Sequence, residues 1–241
     1  MSWRIGVDIG GTFTDVVLVD ETRGGIGVVK VPTTPRDFCR GVVEALGAAT
    51  RERGVAAAEV TWLAHATTVV TNALLEGRGA RTALITTRGL RDVLELRRSA
   101  RASLYDLFQD APAVLVPRHL RLEVTERVDA QGAVVEPLRL EDVDDAVDFI
   151  KRHDAEAVAV CLLYSFLNDQ HERQIGARLR AALPELPVFL SSEVLPEIRE
   201  FERASTTAVC AYVAPILASM AARARPRWTG RAPPRSAFGF R

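Results

Sequence analysis

The chain has 241 residues, 48% hydrophobic and 26% charged, the balance of a globular protein with room for a sizeable core. Thirty-one basic residues meet 31 acidic ones, which removes any global attraction for nucleic acid or an anionic membrane. The start Met1-Ser2-Trp3-Arg4 lacks the basic-then-apolar order of a signal peptide, and no apolar stretch is long enough to span a bilayer. Cys39, Cys161 and Cys210 are odd in number, widely spaced and set among apolar neighbours, which argues against a disulfide framework or a zinc site and for a cytoplasmic home.

Residues 4–9, 14–19 and 26–31 are rich in Val and Ile and are predicted as three strands. Gly10-Gly11 divides the first two and residues 21–25 divide the next two, so an antiparallel meander is expected. After Pro32 and Pro35, Asp37 is placed to cap a helix over 38–53 whose face carries Phe38, Val42, Val43, Leu46 and Ala49, with Gly54 as its stop. A strand over 60–64, a short helix over 68–76, a strand over 82–86 and a helix over 89–97 follow. The stretch 98–118 reads as irregular. Short strands at 120–124 and 126–129 lead to a Gln131-Gly132 turn. A helix over 141–152 starts on Glu141 and Asp142 and ends on Lys151 and Arg152, as the helix dipole favours. Residues 157–163 form an apolar run suited to a buried strand, in which Cys161 serves as a small hydrophobe. A helix over 169–182, a strand over 187–191 and a long helix from Pro196 complete the pattern. A meander followed by alternating strands and helices predicts an α/β protein of the ribonuclease-H-like layout, a mixed sheet with flanking helices.

The strongest chemical signal is Gly6-Val7-Asp8-Ile9-Gly10-Gly11-Thr12-Phe13-Thr14-Asp15. Paired glycines let backbone N–H groups approach an anion, and Thr12 and Thr14 add hydroxyl donors. Asp8 at a strand end is suited to a hydrated Mg2+ that neutralises phosphate charge. Asp15 can hold the loop or assist the metal. A plain hairpin turn is the simpler alternative; the order acid, Gly-Gly, two threonines between apolar strands favours phosphate. The motif is neither a Walker A loop nor a Rossmann fingerprint. The second constellation is His65-Ala66-Thr67-Thr68-Val69-Val70-Thr71-Asn72, expected at a strand-to-helix junction, where free N–H groups suit anions or polar substrates. A simple cap by Thr67 or Thr68 is the alternative there. In the third, Glu200, Arg203 and Thr207 share a helix face. A solvated row of ion pairs is expected, with a polar face lining a cleft as the alternative.

Together these segments resemble the hydantoinase A/5-oxoprolinase family, which also includes ATP-dependent acetone and acetophenone carboxylase subunits. The resemblance is carried by Gly6 to Asp20, Lys30 to Pro35, His65 to Glu76, Gly79 to Asp92 and Ser191 to Pro215, among others, and runs over most of 4–220. It implies an actin-like ATPase fold and an ATP- and Mg2+-dependent opening of a cyclic amide after phosphorylation of its carbonyl oxygen. The carboxylase branch instead activates a ketone as an enol phosphate. By this resemblance Asp8, Gly10, Gly11, Thr12 and Thr14 form the first phosphate loop, supported by Asp15. Asp8, His65 and Asn72 are the catalytic candidates, and Thr67 and Thr68 are candidates for holding substrate. A hydantoinase B-like partner subunit is implied as well. Ala66 departs from the family, which usually has Gly after the histidine. A truncated remnant and a sugar kinase or sugar-responsive regulator are the competing readings.

Family members are much longer, so the expected organisation is an N-terminal domain over 1–188, the start of a second domain over 189–222, and a tail over 223–241. A chain that stops there is expected to be inactive alone. The tail contains Arg, Pro, Ala and Gly with no acidic residue. A disordered basic tail has this composition; so does translation out of frame in a GC-rich gene, the expectation favoured here. Reading the other two frames of the coding DNA tests it: family-like sequence should continue in one of them, and its absence from both would discard the frame shift.

Overall fold

A computed structural model describes residues 2–10, 12–33, 38–99, 103, 105, 106, 108 and 113–224. The described residues form two compact units, one built from those up to Arg78 together with the end of the last helix from Ile216, the other from those within Gly79–Pro215.

In the first unit the expected meander is present as β1 (Trp3–Ile9), β2 (Phe13–Asp20) and β3 (Ile26–Pro32). The β2–β3 bend is set by Asp20, whose carboxylate accepts the N–H groups of Thr22 (2.8 Å) and Arg23 (3.1 Å), and by Gly24 at φ +72°. Helix α1 (Phe38–Arg53) ends at Gly54, whose φ of +65° is the left-handed stop that the sequence suggests. The Asp37 cap lies outside the described residues. Strand β4 (Val60–Thr67) then runs parallel to β1, giving a mixed sheet of order β3-β2-β1-β4. Alternation sends Ile5, Val7, Ile9, Val16 and Leu18 to the same face as Ala45, Leu46 and Ala49 of α1, and these form one core. Arg4, Gly6 and Asp8 occupy the opposite face. Helix α2 (Val69–Leu75) follows.

The second unit begins with β5 (Thr82–Thr87) and a single turn, α3 (Val93–Leu96). The longer helix expected over 89–97 is cut short because Gly89, at φ +90°, and Leu90, which donates to Thr87 O (3.0 Å), spend the segment on a turn. Then come β6 (Arg121–Val124), β7 (Arg127–Val128), β8 (Val134–Glu136), α4 (Leu140–Arg152), β9 (Ala157–Cys161), α5 (Gln170–Ala182), β10 (Val188–Leu190), α6 (Ser191–Val194) and α7 (Glu200–Ala224). β10, β9, β5 and β6 pair in that order, all parallel. Every residue of β5 and β9 is buried, as a parallel sheet covered on both faces requires. α4 and α5 supply Val143, Val147, Ile150, Ile175 and Leu179 to one core, while Ala204, Ala208 and Ala211 of α7 join Leu84, Ala157 and Ala159 in the other. Cys161 is buried among them, and desolvation pushes its thiol up to about 12.

The final helix departs from expectation twice. It starts at Glu200 rather than Pro196, because Arg199 at φ +87° breaks the backbone just before it. Its polar face is no solvated row: Arg203 and Thr207 are fully buried. The Arg203 guanidinium donates to Leu162 O (2.7 Å), Ser191 Oγ (2.8 Å) and Ser165 Oγ, and lies over the Phe166 ring. Beside it the equally buried Glu172 accepts from Leu162 N (2.9 Å), Ser165 Oγ (2.7 Å), Ser191 Oγ (2.6 Å) and Ser192 N (2.8 Å). Removing one member of such a pair leaves a buried charge uncompensated, at a cost of about 3–5 kcal/mol. Arg203→Ala is expected to lose that much in urea denaturation of the chain; a loss below about 1 kcal/mol would show the network to be dispensable.

Candidate functional site

The site is assembled at the end of β1. The register pairs Asp8 with Asp15 and Ile9 with Thr14, so the chain must reverse within the four residues between Ile9 and Thr14. Gly10 N–H donates to Phe13 O (2.9 Å) and closes the bend. A Cβ on Gly10 would meet that same oxygen at 3.0 Å, a tight contact that a larger residue could make only if the Phe13 carbonyl shifted by a few tenths of an ångström. Gly11 lies outside the described residues. Thr12 is exposed.

Asp8 is exposed on the face away from α1. Its cross-strand neighbour Asp15 shares that face, and two carboxylates directly opposite repel. The repulsion is relieved from the far side: Lys30, opposite Asp15 on β3, contacts its carboxylate at 3.0 Å and stands 5.2 Å from the centre of the Phe13 ring. Asp15 is thereby committed to Lys30, and Asp8 carries no ion pair among the described residues. A lone exposed carboxylate beside a glycine turn matches what Mg2+ asks of a protein, since this ion keeps several waters and takes one or two carboxylates plus phosphate oxygens. Among the described residues no three His, Cys, Asp or Glu side chains gather into a cage of their own.

Thr14 does not share the exposed face. Its side chain is fully buried and its hydroxyl meets Thr33 Oγ1 at 3.1 Å. Thr33 is the residue that sequence reading missed. It stands just past β3, 8% exposed, with its hydroxyl donating to Gly10 O (2.9 Å) and its N–H to Thr12 O (2.8 Å). The signal was present in the register: counting back across two strands of a meander puts residue 33 behind the turn.

The second constellation is only partly a junction. Strand β4 runs on to Thr67, so His65 and Thr67 are strand residues, in register with Val7 and Ile9; their side chains are outside the described set. Ala66 is exposed and in register with Asp8. Thr68 occupies the cap position of α2 without making a side-chain cap; its hydroxyl (3.3 Å) and N–H (3.2 Å) both donate to Ile9 O, which fastens the entry of α2 to the end of β1. Asn72 is half-buried in α2. The structure thus gathers Asp8, Gly10, Thr12 and Thr68 around one strand end, with Asp15 and Thr14 in supporting contacts.

The hydantoinase/oxoprolinase N-terminal region family model matches residues 4–183. An uncharacterised protein of Methanocaldococcus jannaschii is 40% identical over 91% of this chain and 32% of its own length. Caprolactamase subunit alpha of Pseudomonas jessenii is 36% identical over 89% of this chain and 32% of its own. The crystal structure of that organism's ATP-dependent caprolactamase superposes with a TM-score of 0.80 at 35% identity, covering 91% of this chain and 33% of the other. A nucleotide-free structure of acetone carboxylase, which is described as ATP-dependent, gives 0.79 at 27% identity, covering 92% and 34%. The chain therefore spans about a third of the length of these relatives. Its α/β architecture, with mixed and parallel sheets between flanking helices, is compatible with the actin-like ATPase fold.

The opposed carboxylates have a thermodynamic consequence. Replacing Asp8 removes the repulsion with Asp15, so Asp8→Asn is expected to leave stability unchanged or raise it by a few tenths of a kcal/mol. The gain should be larger when Lys30→Met is already present. Urea denaturation of the two single variants and the double variant measures it; a clear loss of stability in Asp8→Asn would mean that this carboxylate is structural.

Proposed function

The chain belongs to the hydantoinase/oxoprolinase family, and from that membership we propose that it forms the N-terminal part of an ATP-dependent enzyme opening a cyclic amide of the hydantoin or 5-oxoproline type. The observation that carries this reading is the exposed Asp8 at the end of β1, without an ion pair among the described residues, beside a turn in which Gly10 is tightly packed against Phe13 O and Thr12 is displayed. In it, Asp8 holds the hydrated Mg2+ that accompanies ATP, and Gly10, Gly11 and Thr12 border the phosphates. Thr14 supports the turn from the buried face through Thr33, and Asp15 stands beside Asp8 on the outward face in its ion pair with Lys30. Thr68 keeps α2 against the end of β1, and Thr67, His65 and Asn72 remain the candidates on the substrate side. ATP transfers its γ-phosphoryl group to the amide oxygen with release of ADP, which opens the carbonyl carbon to water; the adduct collapses with cleavage of the ring C–N bond, the nitrogen leaving as an amine, and a second water releases phosphate from the acyl phosphate left behind.

A ketone carboxylase is the second reading, favoured by the near-equal superpositions on caprolactamase (0.80) and acetone carboxylase (0.79). Both reactions need a phosphate beside a carbonyl oxygen, so the same turn serves either. Relatives are named as subunits alpha, beta and gamma, which supports a partner chain, here proposed as hydantoinase B-like. The reading keeps an N-terminal domain over 1–188 followed by the beginning of a second, and a cytoplasmic location in keeping with the free thiols of Cys161 and Cys210.

A few charge-assisted hydrogen bonds of about 1.5–3 kcal/mol each, set against an association cost on the order of 4–15 kcal/mol, leave little surplus. The 241-residue chain is therefore expected to bind Mg-ATP in the millimolar range, which corresponds to about 4 kcal/mol, without substrate-dependent turnover. Joined to the C-terminal region of a family member, it is expected to hydrolyse ATP in response to a hydantoin or lactam. Asp8→Asn should reduce that rate about a hundredfold or more, the scale of losing a preorganised electrostatic group. Stimulation by acetone with bicarbonate instead of a cyclic amide selects the carboxylase reading. Equal ATP binding by the joined protein with and without the substitution removes Asp8 from its role.

A further inference from the structure

Three polar groups, Gly10 O, the Thr14 hydroxyl and Thr12 O, converge on one residue outside the motif, the first two on the Thr33 hydroxyl and the third on its backbone N–H. We infer that Thr33 is a positioning residue of the nucleotide site: it fixes the turn's carbonyls at the rear so that N–H groups are presented at the front. The inference rests on the reading of this turn as the phosphate-binding element.

A threonine hydroxyl has one proton to give and two lone pairs. Thr33 Oγ1 gives its proton to Gly10 O at 2.9 Å. In its 3.1 Å contact with Thr14 Oγ1 it must then be the acceptor, and Thr14 the donor. Thr14 is thereby spent: its proton goes to Thr33 and its side chain is fully buried, so it acts on the site only through Thr33. The Thr33 N–H takes Thr12 O at 2.8 Å. Peptide planarity does the rest. With the Thr12 carbonyl drawn towards Thr33, the N–H of the same peptide unit, that of Phe13, is turned to the opposite side. Carbonyl oxygens repel phosphate, so a turn that binds phosphate must hide them, and Thr33 takes two of them, Gly10 O and Thr12 O. Its position makes the clamp firm, since Pro32 before it pairs with Phe13 across β2 and β3 and Thr33 is 8% exposed.

The test uses the 241-residue chain, the Thr33→Val variant, which keeps the shape and loses the hydroxyl, and Thr33→Ser, which keeps the hydroxyl. Mg-ATP is titrated to millimolar concentration while the amide resonances of Gly10, Thr12 and Phe13 are followed by NMR. Thr33→Val is expected to weaken the apparent Kd about tenfold or more, the worth of a buried hydrogen bond network member, and Thr33→Ser to remain within about threefold of the parent. Thermal midpoints should be alike in the two variants, which separates positioning from a general loss of fold. Affinity in Thr33→Val equal to the parent's, or in Thr33→Ser as weak as in Thr33→Val, overturns the inference. Asp8→Asn serves as the reference. If it weakens binding while Thr33→Val does not, Thr33 alone is wrong. If the parent's turn amides do not respond to Mg-ATP, or respond as they do in Asp8→Asn, the nucleotide reading of the turn fails and the role of Thr33 falls with it.

Discussion

The register between β1 and β2 is the constraint on which the candidate site depends. Once Trp3 pairs with Asp20 and Ile9 with Thr14, the reversal has to occur within the four residues between Ile9 and Thr14. Sliding the pairing by one residue would turn Ile5, Val7 and Ile9 out of the core and bring Asp8 into it. The burial of those three side chains against α1 therefore enforces the exposure of Asp8. At roughly 25 cal/mol per Å2 of apolar surface, three large aliphatic side chains outweigh any local preference of the turn. The hydrophobic core thus sets the geometry of a polar site that it does not touch.

The same register explains the division of labour among the polar residues. Positions that alternate with the core point outward and can meet solvent or ligand: Asp8, Asp15 and Lys30 form one row across three strands. Positions in step with the core point inward, and Thr14 is one of them, so its hydroxyl must find an internal partner or forfeit a hydrogen bond. Asp15 could have acted with Asp8 on a cation, but the lysine opposite it already satisfies it. Among the described residues the arrangement leaves one carboxylate without an ion pair where two stand side by side.

Much of this was legible in the sequence. The three opening strands, α1 with its Gly54 stop, the acidic-to-basic helix over 140–152 and the buried strand around Cys161 all follow from period, punctuation and charge. What escaped depends on partners distant in sequence. Thr33 is invisible as a lone threonine after a proline and becomes meaningful only through the pairing that puts it behind Gly10. Thr68 looked like a helix cap and instead fastens α2 to Ile9, an alternative open to it because β4 lies against β1. The reach of β4 to Thr67 was missed because Ala64, His65 and Ala66 carry no strong strand signal, while pairing with β1 decides the matter.

The final helix shows the opposite failure, in which a correct local pattern led to the wrong environment. Glu200, Arg203 and Thr207 do share a face, as their spacing dictates, yet spacing cannot say whether the face meets water or protein. Here Ala204, Ala208 and Ala211 pack the helix close against the parallel sheet, and that proximity carries Arg203 into the interior with them. A guanidinium so placed must be answered. The answer comes from the carboxyl ends of the strands, where backbone carbonyls such as that of Leu162 point out of the sheet, and from Glu172 and the serines that surround it. Such a network adds less net stability than its many bonds suggest, because each charge was solvated before folding. All three donations come from Nη2, while Nε and Nη1 of Arg203 are buried without a hydrogen-bond partner among the described residues, so the hub ties α7 to Leu162, Ser165 and Ser191 through one nitrogen and leaves part of the guanidinium's desolvation uncompensated.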